Sequence, residues 1–291
     1  MLQKITIKKL QIQSLILILL FLMFGCSNKK IEDVAVSKDG VEISFEKKGK
    51  SKPAIIFIHG WTNPRTIWED QVEHFSKNYT AIAIDLAGSG KSGNNRTNWT
   101  IEAFSNDVIA VIDKLKLDKV VLVGFSMGAS VVIETTNRIP DKVLGVVTVD
   151  ALQKPGRQVP KEMIPVIIDR MMSMERTNEN LVAGGFYKRN EEASFERITK
   201  IYEGASTIGW KESLENAIRW MNNNQKTSLQ KLQVPFRGIF SDKEPVEIDS
   251  IKKYVPSFKA DIIPETGHLV FWDEPEKFNE LLEKDIKEFL K

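Results

Sequence analysis

Short apolar runs and longer amphipathic stretches alternate along the first half of the chain. Four runs, rich in aliphatic residues, are typical of strands buried on both faces of a parallel sheet: Ala54–Ile58, Ala81–Ile84, Val120–Val123 and Leu144–Val149. Between two of them, Ile101–Leu115 carries an apolar stripe at helical spacing, with Thr100 as the expected N-cap. Val41–Glu46 alternates apolar and polar residues, as an edge strand does. This strand–helix rhythm predicts an α/β fold with helices on both faces of the sheet.

The rhythm stops after residue 152 and resumes near residue 233. The intervening segment has no strand-like run and instead shows amphipathic helical patterns, as at Met163–Met174 and Trp210–Met221. Strand patterns return at Val234–Phe240 and Ala260–Ile263, and an apolar stripe from Phe278 to Phe289 predicts a closing helix. We therefore expect a helical insertion between two parts of one sheet.

The amino-terminal residues have the pattern of an export signal. Lysines precede an unbroken apolar run, Leu15–Phe24, that is short for a membrane span, and Gly25-Cys26 and a polar stretch follow it. This resembles the lipobox of bacterial lipoproteins and implies a signal peptide over 1–26, lipidation of Cys26 and a tether over 27–39. Cys26 is the only cysteine, which excludes a disulfide framework. An ordinary cleaved signal and an uncleaved anchor are the alternatives. The expected location is the bacterial cell envelope, at a membrane surface.

Charge and composition narrow the classes of partner. The chain has 41 Lys and Arg against 39 Asp and Glu, a net charge of +2, which favours neither nucleic acid nor an acidic partner. Gly90-Lys91-Ser92 looks like the end of a phosphate-binding loop, but Asp85 stands where that pattern needs a glycine. We therefore expect no nucleotide site, and we expect no cofactor or metal.

The sequence Gly124-Phe125-Ser126-Met127-Gly128 is the strongest chemical signal. It follows a buried strand and opens a helical segment, which requires a very tight turn. Such a turn exposes the Ser126 hydroxyl at the carboxyl end of the strand, as a nucleophile requires. The Met127 amide would then stabilise an oxyanion.

Four motifs in order resemble the α/β-hydrolase family over nearly all of the chain from about residue 40. They are His59-Gly60-Trp61, Asp85-x-x-Gly88-x-Gly90-x-Ser92, the motif around Ser126, and Gly267-His268. The resemblance implies an α/β-hydrolase fold: a mostly parallel twisted sheet, helices on both faces, and a helical cap inserted after the sixth strand. The core would comprise 40–152 and 233–291, and the cap 153–232.

The resemblance also implies a catalytic triad. A serine needs an adjacent base, and His268 lies late in the chain, as the order of the family requires. The amides of Trp61 and Met127 would form the oxyanion hole, while His59 would brace its loop. Three carboxylates are candidates for the acid: Asp150 is narrowly preferred, Glu244 is second and Asp242 third.

These residues predict a serine hydrolase that cleaves an ester or thioester through an acyl-enzyme. The apolar cap predicts a small acyl or aromatic substrate. Ser126 argues against dehalogenase or epoxide hydrolase chemistry, because those relatives carry an aspartate at this position. Two alternatives stay open. One is a non-catalytic ligand-binding or sensory lipoprotein on the same scaffold, and the other is haloperoxidase or C–C hydrolase chemistry.

Overall fold

The computed structural model describes residues 30–175, 177, 180–181, 184–185, 192–202 and 206–291. The predicted signal peptide and Cys26 lie outside the described residues. None of the described helices has the length and apolar character needed to cross a membrane.

The centre of the protein is one eight-stranded sheet with the spatial order β1-β2-β4-β3-β5-β6-β7-β8. β1 pairs antiparallel with β2, and β2 with β4, while every other neighbouring pair is parallel. The strands are Ile31–Val36, Glu42–Lys48, Ala54–Ile58, Thr80–Ile84, Val120–Phe125, Val143–Val149, Phe236–Ser241 and Lys259–Ile263. The predicted mostly parallel α/β sheet is confirmed.

The first strand corrects the predicted tether. The sequence predicts a tether over residues 27–39, but Ile31–Val36 form β1 and pair with β2 from Ile31↔Lys47 to Val36↔Glu42. The predicted edge strand within Val41–Glu46 is therefore covered, and β1 is the edge. The prediction failed because Ala35 is the only buried residue of β1. Backbone pairing with β2, rather than an apolar pattern, defines this strand.

Helices cover both faces of the sheet. A 3-10 turn, Arg65–Trp68, precedes the first α-helix. The Thr100 hydroxyl accepts a hydrogen bond from the Ala103 amide at 3.2 Å, so the predicted N-cap of the helix that begins at Ile101 is present. In chain order, α1 to α10 are Glu69–Phe75, Ile101–Lys114, Met127–Arg138, Met163–Ser173, Glu192–Tyr202, Trp210–Asn223, Gln225–Gln230, Ile248–Lys252, Val270–Asp273 and Pro275–Phe289. Helices α4 to α7 lie between β6 and β7, where the sequence predicts an insertion.

The alternation of side chains along the central strands divides the core into two layers. On β3, Ile56 packs in one cluster and Phe57 in the other, and on β5 the same division separates Leu122 from Val123. Successive side chains of a strand point to opposite faces, so a strand that is apolar throughout must be covered on both. Because both faces of the central strands are covered, a ligand can reach them only at their ends.

The parallel strands place the candidate residues together at the carboxyl ends of the strands. His59, Ser126 and Asp150 directly follow β3, β5 and β6, and Ser241 is the last residue of β7. Ligands in open α/β sheets bind outside the carboxyl ends of the strands.

Candidate active site

Ser126 occupies the turn between β5 and α3 in a backbone conformation that residues other than glycine rarely adopt. Its φ is 51° and its ψ is −119°. The Ser126 amide donates to the Val149 carbonyl at 3.1 Å, and the Ser126 carbonyl accepts from the Ala129 amide at 3.0 Å. Strain of this kind costs on the order of 1–3 kcal/mol and persists only where the surroundings impose it.

The two glycines of the motif are required by close backbone contacts. A Cβ on Gly128 would lie 2.6 Å from the His59 carbonyl oxygen and 2.7 Å from that of Ile58. A Cβ on Gly124 would lie 2.4 Å from the Gly128 carbonyl oxygen. No side chain can relieve these clashes, because the opposing atoms are backbone. The motif therefore lets β5 turn sharply into α3 directly beside β3.

The structure brings Asp150 and His268 together although 118 positions separate them. The distance from His268 Nδ1 to Asp150 Oδ2 is 2.6 Å, and the Asp150 side chain is 4% exposed. An ionised carboxylate only accepts hydrogen bonds, so Nδ1 carries the proton and Nε2 carries the lone pair.

The second carboxylate oxygen of Asp150 is held by the end of β7. Oδ1 accepts from the Ser241 amide at 2.9 Å and from the Ser241 hydroxyl at 2.8 Å. The side-chain NH2 group of Gln153 donates a longer hydrogen bond of 3.4 Å to the same oxygen. The Lys243 amide donates to the Ser241 hydroxyl oxygen at 3.3 Å, which leaves that hydroxyl to donate to Asp150. These contacts fix the carboxylate so that Oδ2 faces His268.

The other two candidate acids bond elsewhere. Glu244 is exposed and pairs with the Lys154 ammonium at 3.1 Å. Asp242, also exposed, accepts from the Glu265 amide at 3.0 Å. Of the three carboxylates proposed from the sequence, Asp150 is the one whose hydrogen bond to His268 the structure records.

Ser126 and His268 line the same cavity, which has a volume of about 110 Å³. Its walls are mostly apolar. Trp61, Phe125 and Leu269 come from the sheet side, and the segment between β6 and β7 supplies Met171, Met174, Leu181 and Ile198. The His268 ring lies 4.6 Å from the Phe125 ring, centroid to centroid, which supports the imidazole on the cavity wall.

The loop after β3 is held by the buried His59. Its Nε2 accepts from the Leu86 amide at 3.0 Å, and Nδ1 lies 2.7 Å from the Gly60 carbonyl oxygen. Burial lowers the pKa of this imidazole, which favours the neutral form that these two contacts require. His59 therefore braces the loop that carries Trp61.

Trp61 links that loop to the inserted helices. Its indole Nε1 donates to the Trp210 carbonyl oxygen at 2.8 Å, and the two indole rings lie 6.0 Å apart. The Trp61 amide lies in the loop after β3, and the Met127 amide opens α3, so both lie at the carboxyl ends of the strands, as Ser126 does.

The glycine-rich loop after β4 is organised by a buried ion pair. Asp85 pairs with the Arg65 guanidinium and accepts from the Lys91 amide at 3.0 Å. A Cβ on Gly90 would lie 2.3 Å from the Asp85 carboxyl group. The glycine thus makes room for the carboxylate that the loop wraps. Across the part of the chain that the structure describes, no three His, Cys, Asp or Glu residues converge as a metal site would require.

Ser241 is the residue of the site that sequence reasoning missed. It lies between the predicted strand, which ends at Phe240, and the candidate acid Asp242. The parallel pairing of β6 with β7, as at Val149↔Ile239, brings it beside Asp150. A hydroxyl residue ending a strand next to the strand of the acid was the available signal.

Residues 53–192 match the family model described as alpha/beta hydrolase fold. The strand order above and the superposition on solved structures show that the chain has the α/β-hydrolase fold. The chain is 26% identical over 262 residues to the AB hydrolase superfamily protein YisY of Bacillus subtilis, covering 84% of this chain and 96% of that one. It is 24% identical to the non-heme chloroperoxidase CPO-A1 of Kitasatospora aureofaciens, over 88% and 98% of the two chains. Among solved structures, the esterase EaEST of Exiguobacterium antarcticum superposes with a TM-score of 0.77 at 23% identity, over 88% of this chain and all of that one.

Proposed function

We propose that the protein is a serine hydrolase that cleaves small carboxylic esters or thioesters through an acyl-enzyme. The observation that carries the proposal is the 2.6 Å contact between His268 and Asp150 in the wall of the cavity that also contains Ser126. A serine hydroxyl becomes a useful nucleophile only beside a base that a third group orients.

In this mechanism the Ser126 hydroxyl attacks the carbonyl carbon of the substrate. His268 Nε2 takes the hydroxyl proton and then returns it to the leaving alcohol or thiol. Asp150 keeps the proton of the neutral imidazole on Nδ1 and stabilises the imidazolium that forms. A water molecule, activated by the same imidazole, then hydrolyses the acyl-enzyme.

The developing oxyanion would be bound by the amides of Met127 and Trp61. The Met127 amide is at the N-terminus of α3, where backbone donors are free of helical partners. The Trp61 amide is held by the loop that His59 braces. Loss of one such donor typically costs on the order of 10²–10³ in kcat.

The cavity favours a short acyl chain. Its volume of about 110 Å³ is smaller than the roughly 150 Å³ of an apolar protein cavity that holds benzene. Apolar side chains on its walls offer contacts to methylene groups and few partners for a charged acid. We therefore expect acetyl to butyryl esters to be turned over faster than octanoyl esters.

A fluorophosphonate probe tests the nucleophile, and p-nitrophenyl esters of graded chain length test the substrate class. The parent protein should be labelled and Ser126→Ala should not. Ser130→Ala, a buried serine one turn along α3, is the matched control and should label normally. Absence of labelling in the parent would contradict the nucleophile assignment. Labelling without steady-state turnover of any ester would favour the ligand-binding alternative.

A second candidate is halide oxidation, which the similarity to the non-heme chloroperoxidase favours. Hydrogen peroxide, in place of water, would cleave the acyl-enzyme, and the peracid formed would oxidise the halide to hypohalite and become the carboxylic acid. It would use the same serine, histidine and aspartate. Halogenation of monochlorodimedone in acetate buffer with hydrogen peroxide and bromide measures it. Halogenation much faster than hydrolysis of p-nitrophenyl acetate would make it the main activity.

We further propose that Cys26 carries a lipid that holds the domain at a membrane of the cell envelope. The proposal rests on the apolar run Leu15–Phe24 followed by Gly25-Cys26. Metabolic labelling with an alkyne fatty acid should tag the parent and not Cys26→Ser. Equal labelling of the two would contradict it.

A further inference from the structure

A second and larger pocket lies at the amino ends of the parallel strands, opposite the carboxyl ends that carry the candidate active site. Its volume is about 510 Å³, and it is lined where β3, β4 and β5 begin, by residues such as Ala54, Thr80 and Lys119. Ser126 and Asp150 follow the other ends of the strands. The five residues of β3 lie between the two ends of the sheet, a distance of about 15 Å at the usual rise of a strand.

The rim of this pocket is strongly positive and its floor is apolar. Five lysines and one carboxylate, Asp118, line it. The lysines are Lys47, Lys50, Lys52, Lys116 and Lys119. Four leucines supply the apolar surface: Leu115, Leu117, Leu144 and Leu290. We call this surface the basic pocket.

The charge of the rim is hardly neutralised within the protein. Lys52 and Asp118 are 3.5 Å apart, but their side chains are 90% and 80% exposed, so their pairing is weak. The Lys119 ammonium donates to a backbone carbonyl, that of Asp141, at 2.7 Å. Lys47, Lys50 and Lys116 form no ion pair with any other residue that the structure describes. The rim therefore presents a field that attracts anions.

β1, the first strand that the structure describes, begins beside a residue of the basic pocket. Ile31, the first residue of β1, pairs with Lys47, which lines the basic pocket. The apolar run Leu15–Phe24 lies only a few residues upstream in the sequence. β1 therefore begins on the side of the sheet where Lys47 lines the basic pocket.

We propose that the basic pocket docks on the surface of an anionic lipid bilayer, with lipid phosphates at the lysines and the upper acyl region against the leucines. This orientation points the candidate active site away from the membrane. Lysines near an anionic surface each contribute about fivefold to binding, and apolar contact adds to it. The proposal does not depend on ester hydrolysis.

Lysine footprinting of the full chain, reconstituted in vesicles, tests the orientation. The reagent is an amine-reactive imidoester, and the modification of each lysine is read by mass spectrometry. One set of vesicles is phosphatidylcholine alone, and the other is an equimolar mixture with phosphatidylglycerol. In the anionic vesicles, the five rim lysines should react about tenfold more slowly than in neutral ones, and high salt should restore their reactivity. Three exposed lysines on the inserted segment, Lys161, Lys200 and Lys211, should react equally in both.

A matched pair of variants tests the role of the charges. Combining Lys50→Gln, Lys52→Gln and Lys116→Gln should weaken docking about 100-fold, which abolishes the protection of the remaining rim lysines, Lys47 and Lys119. Combining Lys161→Gln, Lys200→Gln and Lys211→Gln removes the same charge and should leave that protection intact. Turnover of a soluble ester, measured on the same samples, should be unchanged in both, so failure of docking and failure of the proposed hydrolysis are read separately.

Three results would overturn the proposal. Protection that is as strong on neutral vesicles would show that anionic lipid is not recognised. Equal loss of protection in the two triple variants would show that the rim lysines are not special. Protection by free decanoate without any from vesicles would make the pocket a site for a soluble amphiphile.

Discussion

Replacing Asp150 by asparagine would test the proposed triad at the level of single protons. In the parent, Asp150 Oδ1 accepts from the amide and the hydroxyl of Ser241, so this position must hold an acceptor. The side-chain oxygen of the asparagine is therefore drawn to the Oδ1 position, and its NH2 group faces His268. The NH2 group donates to Nδ1, which moves the imidazole proton to Nε2, where it blocks proton transfer from Ser126.

The wrong tautomer in a triad costs about 10⁴ in kcat, or about 5 kcal/mol of transition-state stabilisation. We expect this loss for Asp150→Asn on p-nitrophenyl acetate. KM should stay within about twofold, because Asp150 is buried behind His268 and is not a cavity-lining residue. Steady-state kinetics measure both parameters, and circular dichroism checks the fold.

Glu244→Gln is the matched control, because it neutralises a carboxylate that is exposed and paired with Lys154. Its kcat should stay within about threefold of the parent. The reasoning is refuted if Asp150→Asn retains activity within about fivefold of the parent. A large loss in Glu244→Gln would instead move the acid to the loop after β7.

Three further predictions concern stability and the turn. Asp285 is 2% exposed, and burial raises its pKa from 3.8 to about 7. As the pH rises, the unfolded chain loses this proton near pH 4, whereas the folded protein keeps it until about pH 7. The free energy of unfolding should therefore fall between about pH 4 and 7, by at most about 4 kcal/mol, and then level off. Asp285→Asn should remove this component, which urea unfolding at pH 4.5 and 8 measures, and parallel pH profiles of parent and variant would contradict it. Gly128→Ala should lower the free energy of unfolding by about 3 kcal/mol and remove most of the activity, because its Cβ meets backbone oxygens. In the control Gly93→Ala the new Cβ faces the Asn95 side chain at 3.1 Å, and the free energy of unfolding should fall by less than about 1 kcal/mol. Thermal unfolding measures both. Lastly, Trp61→Phe removes the hydrogen bond to the Trp210 carbonyl and should lower kcat about tenfold, while the free energy of unfolding changes by no more than about 1 kcal/mol. An unchanged kcat would mean that this hydrogen bond does not position the loop.

The choice among the three acids illustrates where sequence reasoning stops. Asp150 follows β6, and both Asp242 and Glu244 follow β7, so all three lie after the carboxyl ends of adjacent strands. Local pattern therefore gives only a narrow preference for Asp150. The separation depends on which oxygen reaches an imidazole 118 positions away, and that is a property of the register and of the loop carrying His268.

The miss at β1 has a different cause. Ile31–Val36 exposes all but one of its residues, so it carries little of the apolar pattern from which strands are predicted. Its strand conformation comes from hydrogen bonds with β2, a partner that no window over residues 31–36 contains.

The sequence by itself determined the layered α/β fold, the turn at Ser126 and the glycines that this turn needs. These follow from local rules: the apolar period of strands and helices, and the space that a Cβ occupies. Only the tertiary structure decided that Asp150 meets His268, that Ser241 holds Asp150, and that five lysines between residues 47 and 119 gather at one end of the sheet. Such convergence depends on strand order, because neighbours in a sheet with crossover connections come from distant parts of the chain.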